Sequence, residues 1–124
     1  MHFKDNKAIY LQIADFICED ILQGKLSEDE KIPSVREYAA VVEVNANTCA
    51  RAYEWMQGQD IIYTKRGLGY FVSNGAKLAI LNMKRQEFLT ETLPDVARQM
   101  LNLGITLEEL NEEIVKHQKA GTNL

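Results

Sequence analysis

Between Ala8 and Gln23 the polar residues Gln12, Asp15, Glu19 and Gln23 recur on one helical stripe, while Ile9, Ile13, Phe16, Ile17 and Ile21 take the other side. This is the 3.6-residue period of an amphipathic helix. Tyr10, Ala14 and Cys18 widen the apolar arc beyond what one buried face needs. The helix should therefore pack on its own core and also on either the C-terminal segment or a second subunit. Gly24 ends it, and an acidic loop, Ser27-Glu28-Asp29-Glu30, leads to Pro33-Ser34. Ser34 and Glu37 stand at capping-box spacing, in which hydroxyl and carboxylate satisfy backbone amides at a helix start. They predict a short second helix that buries Tyr38, Ala39 and Val42. After Glu43-Val44, Asn45 serves as N-cap of a third helix running to about Gly58. Cys49, Ala52, Tyr53 and Met56 form its buried stripe, leaving Asn47, Arg51 and Glu54 outside. Two short helices so closely joined suggest a helix-turn-helix.

The period then changes. Ile61-Ile62-Tyr63-Thr64 and Tyr70-Phe71-Val72-Ser73 are β-branched and aromatic, and Lys65-Arg66-Gly67-Leu68-Gly69 lies between them. The pattern predicts a β-hairpin with a basic, glycine-bearing tip. Beyond Asn74-Gly75 a helical stripe of Leu89, Leu93, Val96, Ala97, Met100 and Leu101 returns. Pro94 forces a kink or restart in it, and Gly104 breaks it. Thr106 and Glu109 repeat the capping-box spacing and open a last helix with Leu107, Leu110 and Ile114 on one side. The expected fold class is mainly α with a small β-hairpin. An N-terminal winged helix-turn-helix domain is expected over residues 1–75, followed by a helical dimerisation tail over 76–124, too small to fold alone.

At 124 residues, 46% of them hydrophobic, the chain can form one packed domain and a small appendage. No apolar run approaches the roughly 20 residues that span a bilayer, and Met1-His2-Phe3-Lys4-Asp5 does not open a signal peptide. A cytoplasmic protein without membrane contact is expected. Cys18 and Cys49 sit among apolar neighbours and read as reduced core residues. Enzyme classes find no support. His2 and His117 lie at opposite ends, no serine or cysteine has a nucleophile setting, and no glycine-rich loop opens a helix. No catalytic residue, metal or cofactor is expected. The net charge of −4 excludes indiscriminate nucleic-acid binding, so any DNA contact must rest on local positive charge.

Three helices followed by a basic hairpin compose a winged helix-turn-helix, in which the third helix enters the major groove and the wing follows the backbone or minor groove. The segments Ala8-Ile9-Tyr10-Leu11-Gln12-Ile13-Ala14, Ile32-Pro33-Ser34-Val35-Arg36-Glu37-Tyr38-Ala39, Val44-Asn45-Ala46-Asn47-Thr48 and Arg66-Gly67-Leu68-Gly69-Tyr70-Phe71-Val72 run in order over about residues 8 to 73. Together they resemble the GntR family of bacterial regulators. The short tail, with Arg-Ala-Tyr at residues 51 to 53, is similar to the YtrA-like subfamily. That resemblance implies a homodimer on a roughly palindromic operator, often repressing nearby transporter genes. Arg36 matches the family arginine that contacts DNA; its guanidinium suits a phosphate or the edge of guanine. A surface pair with Glu37 or Glu43 is its bland alternative.

Asn45, Asn47 and Thr48 begin the third helix, where helix-turn-helix docking reaches base edges. Asn45 also has a capping role. Ala46 and Ala50 stand where many members carry arginine, so recognition is expected to shift to Arg36, Asn47, Arg51 and alanine contacts with thymine methyls. Arg51 faces outward unless it pairs with Glu54 or Glu43. Ser34, at the second helix's start, joins the DNA-facing set, as do Lys65, Arg66 and Gly67 at the wing tip, aimed at phosphate or minor groove. Tyr63, Tyr70 and Phe71 read as strand core, and Trp55 as a packing residue. The competing reading is a winged-helix module for protein contact, favoured by the acidic balance. A small-molecule effector between tail and first helix is compatible with the pattern, but no convergent polar group identifies one.

Overall fold

A computed structural model describes residues 3 and 6–121. The start Met1-His2-Phe3-Lys4-Asp5, where no signal peptide is expected, lies outside the described residues save Phe3. Helix α1 spans Ile9–Leu22, α2 Val35–Val42 and α3 Ala46–Gly58. Strands β1 (Ile62–Lys65) and β2 (Gly69–Val72) pair antiparallel, with Ile62 opposite Val72, Tyr63 opposite Phe71 and Thr64 opposite Tyr70. Helix α4 covers Ala76–Glu87, a π-helical turn Phe88–Thr92 follows, and α5 (Leu93–Leu103) and α6 (Leu107–Gly121) complete the order. The fold is mainly helical with a two-stranded wing.

Local chemistry sets the helix starts. Glu37 N–H donates to Ser34 Oγ at 3.1 Å, and Ser34 N–H donates to Glu37 Oε1 at 3.1 Å, closing the capping box of α2. Asn45 Oδ1 accepts from Asn47 N–H at 2.7 Å and starts α3. The link between them turns at Glu43, which takes φ 58°. Thr106 and Glu109 form the same reciprocal pair ahead of α6. Pro94 lies in the first turn of α5 directly after the π-helical turn, and Thr92 and Leu93 keep right-handed helical geometry, so the wider turn accommodates the missing N–H within a continuous helical run.

One core joins α1, α2, α3, the hairpin and the start of α4. Ile13, Ile17 and Cys18 meet Tyr38 and Val42, Cys49 and Tyr53, Ile62 and Val72, and Ile80. Each large apolar side chain buried there contributes about 1.5–3 kcal/mol. Part of the wide arc of α1 is met by α4, and Tyr10 at its start faces α3. Ile80 enters the shared core, and Lys84 Nζ reaches Glu19 Oε1 at 3.5 Å and Asp15 Oδ1 at 3.7 Å. Two expectations need correction. Gln12 is not on the wet stripe; it is only 6% exposed, and its Nε2 donates to the Lys7 carbonyl at 2.7 Å. Of the hairpin aromatics only Tyr70 packs on the core. Tyr63 and Phe71 stack on each other at 5.7 Å on the other face, since residues directly opposite in the register share a side of the sheet.

The chain divides into two compact units between Lys84 and Arg85, within α4. In the second unit, α5 ends at Gly104, φ 68°, and no described residue of α5 or α6 is buried. Phe88, Leu93, Met100, Leu101, Ile105 and Ile114 help line an apolar groove of about 680 Å³ there. No helix among the described residues is long and apolar enough to cross a membrane.

Candidate nucleic-acid interface

The expected site residues fall on three neighbouring elements of the first unit, and Tyr53 ties these elements together. This α3 side chain is fully buried. Its Oη donates to the Pro33 carbonyl at 2.7 Å, just before the α2 cap. Its ring meets Tyr70 of β2 edge-on at 4.9 Å and Tyr38 of α2 at 6.4 Å. The entrance to α2, the body of α3 and the base of the wing are thus held by one phenol.

On α2, Ser34 and Arg36 are exposed. The Ser34 oxygen is engaged as a cap, accepting from the Glu37 N–H, while hydrogen bonding from Ser34 to the Glu37 carboxyl, backbone N–H first and side chain second, holds that carboxyl below the usual range. Among the described residues Arg36 enters no ion pair, so the pairing with Glu37 or Glu43 is not formed. On α3, Asn45 and Asn47 are exposed and Thr48 is half-buried. Asn45 performs its capping role, which commits its side-chain oxygen but leaves its amide donors outside that bond. Arg51 is exposed and pairs with neither Glu54 nor Glu43; its guanidinium carbon lies 4.2 Å from the centre of the Tyr10 ring. Asn47, Thr48 and Arg51 share one surface recess with Ala8, Ile9 and Tyr10.

At the wing, Leu68 N–H donates to the Lys65 carbonyl at 2.9 Å, a tight turn with Gly67 at φ 77°. Lys65 and Gly69 therefore belong to the strands, and the tip is Arg66-Gly67-Leu68. Arg66 and Gly67 are exposed, and Arg66 has no ion-pair partner among the described residues. Lys65 Nζ rests 4.7 Å above the Phe71 ring and 5.9 Å from the Tyr63 ring. Its ammonium is thereby held along the outer aromatic face of the wing.

Two contributors went unread in the sequence. Tyr10 sits under Arg51, and Lys31 bridges Phe71 as a rudimentary third strand, bringing one more cation beside the wing. Tyr10 carried a signal only as one apolar residue too many on α1. Lys31 carried none, because its neighbour is set by the return of the chain. Trp55 is half-buried against the core, as a packing residue should be. No cluster of three or more metal-ligating side chains occurs among the described residues.

Comparison with known proteins gives one consistent result. The family described as "Bacterial regulatory proteins, gntR family" matches residues 9–72. The helix-turn-helix transcriptional regulator YhcF of Bacillus subtilis is 38% identical over 119 residues, covering 96% of this chain and 97% of its own. The transcriptional repressor YtrA of the same organism is 33% identical over 111 residues, covering 90% and 85%. A crystal structure described as a GntR-family regulator from Bacteroides thetaiotaomicron superposes with a TM-score of 0.78 at 47% identity, covering 90% of this chain and 98% of that one.

Proposed function

This chain belongs to the gntR family of bacterial regulatory proteins, and on that premise we propose that it is a homodimeric repressor acting on a near-palindromic operator. It is a DNA-binding transcription regulator and not an enzyme. The observation that carries the finer reading is the state of its outward cations. Arg36 and Arg66 lie exposed on elements tied together by Tyr53, with no ion pair among the described residues, in a chain whose net charge is −4. Unpaired guanidinium groups concentrated on one helix-turn-helix and wing are what a polyanion of fixed shape requires.

In this reading α3 enters the major groove, with Asn45, Asn47, Thr48 and Arg51 near the bases and backbone. Ser34 and Arg36 meet the DNA from the start of α2, and Lys65, Arg66 and Gly67 follow the phosphates or the minor groove. Ala46 and Ala50 offer methyl groups in place of charge, so base preference here departs from relatives that carry arginine. Dimerisation is supported by the open apolar groove of α5 and α6, since contiguous exposed apolar surface marks an interaction face. Repression is supported by the relation to YtrA, itself a repressor. A protein that works on chromosomal operators acts in the cytoplasm.

The test is selection of bound duplexes from random DNA, followed by affinity measurements on the winning sequence. Two half-sites with centres about 34–36 Å apart are expected if the recognition helices lie one turn apart. Arg36→Ala should cost about 1–3 kcal/mol of affinity, and Arg66→Ala should lower the salt slope by about 1. If both variants hold the selected duplex as tightly as the wild type, the assigned interface is wrong.

A further inference from the structure

Arg51 stands on α3 three residues before Glu54, at a spacing that ordinarily yields an ion pair. Its guanidinium has instead turned to α1 and lies over the Tyr10 ring at 4.2 Å. A carboxylate partner would engage and neutralise the N–H fork, whereas a ring beneath its flat face leaves the in-plane donors uncommitted. The recess beside it, about 400 Å³, is lined by Ala8, Ile9, Tyr10, Asn47, Thr48 and Arg51, and contains no acidic side chain. Asn47 lies one helical turn before Arg51 on the same side of α3, so its amide borders the same space.

We propose that Tyr10 is a positioning residue for DNA binding, holding the Arg51 guanidinium edge-on to a backbone phosphate at the seam between α1 and α3. The stack draws the guanidinium from the outward face of α3 toward α1, where a fork of donors meets two phosphate oxygens and no base edge. With Ala46 and Ala50 lacking charge, this clasp supplies a backbone anchor on α3. The inference rests on the DNA-facing role of α3 given above and assigns Arg51 to grip, with sequence reading left to its neighbours. Arg51 therefore acts alike on every sequence the protein meets.

The full-length protein is titrated with its selected duplex and with a scrambled one between 50 and 200 mM salt. Arg51→Ala should weaken binding to both duplexes by a similar factor and reduce the salt slope by about 0.9, the signature of one lost phosphate contact. Tyr10→Leu should weaken binding about two- to fivefold, while Tyr10→Phe keeps the ring and the wild-type affinity. In the Arg51→Ala protein, Tyr10→Leu should add nothing. A Tyr10→Leu loss as large without Arg51 as with it would make Tyr10 merely structural and overturn the proposal. An Arg51→Ala protein that keeps the wild-type salt slope but loses discrimination at one base pair would overturn it too, independently of whether Tyr10→Leu folds. Wild-type protein that binds no duplex would sink the broader reading together with this one; normal wild-type binding with no Arg51 effect sinks this one alone.

Discussion

The thiol of Cys18 is fully buried on α1, and desolvation, reinforced by Asp15, pushes its pKa up to about 12. Desolvation, with Asp20 behind it, likewise raises Tyr38 to about 12, and burial also raises Cys49 and Tyr53. In the unfolded chain these groups ionise near 8.5 and 10. A raised folded pKa means that the native state keeps protons the unfolded state gives up. Stability is therefore full below about pH 8.5 and is lost as pH climbs toward 12. Urea midpoints between pH 7 and 11 should be flat at first and then fall. Iodoacetamide at pH 8 should label neither thiol until denaturant is added; rapid labelling of the folded protein would contradict the burial. Gly69 is constrained differently: its φ is 115°, and a Cβ there would stand 3.2 Å from Lys31 Cε. Gly69→Ala should cost about 1–3 kcal/mol in chemical denaturation, chiefly from backbone strain, and loosen the wing. The need for glycine near the tip was legible in the sequence. The lysine beside it was not, because Lys31 reaches Phe71 only once the acidic loop has returned along β2.

Among the elements, those built from local chemistry were read well. Both capping boxes form, Asn45 caps α3, and Gly24 closes α1 at φ 80°. Such signals need only a few neighbouring residues, so the chain declares them without reference to its fold. Gln12 was misread because a polar side chain is ordinarily wet. Its burial depends on the Lys7 carbonyl, which a helical projection does not contain. Composition alone assigns Tyr63, Tyr70 and Phe71 alike to the strand core, but neighbours along a strand point to opposite faces, and only Tyr70 lies on the face of the wing that meets the core. The start of α2 permits a test that separates folding from binding. Ser34→Ala should cost about 1 kcal/mol of stability. Ser34→Asp retains a good cap and should keep stability, yet weaken duplex binding by placing a carboxylate before the phosphates. Equal DNA affinity for Ser34→Asp and wild type would remove the α2 start from the interface. The cap also carries a pH signature: Glu37 has a lowered pKa, so its contribution is present at neutral pH and fades as acid protonates it.

Taken whole, the molecule sets a few outward cations on an acidic body, which suits specific binding better than loose adhesion to any nucleic acid. Its second unit leaves Leu101 82% and Leu107 80% exposed, far from ordinary for side chains of that size. Because neither is buried within the chain, Leu101→Glu with Leu107→Glu should leave unit-one melting unchanged while converting the proposed dimer to monomer in sedimentation. A dimer that persists would place the interface elsewhere. The tail's helical stripe was legible in the sequence, whereas the division inside α4 was not, since Ile80 and Lys84 continue the helical pattern while serving the N-terminal core and α1. Tyr53, finally, joins the α2 entrance, α3 and the wing from inside, touching no solvent. The frame of the reading head and its lettering are therefore separable inheritances: a descendant can rewrite Asn47 or Ala50 without disturbing the spacing. Transplanting a relative's outward α3 residues onto this scaffold should carry that relative's operator preference with them.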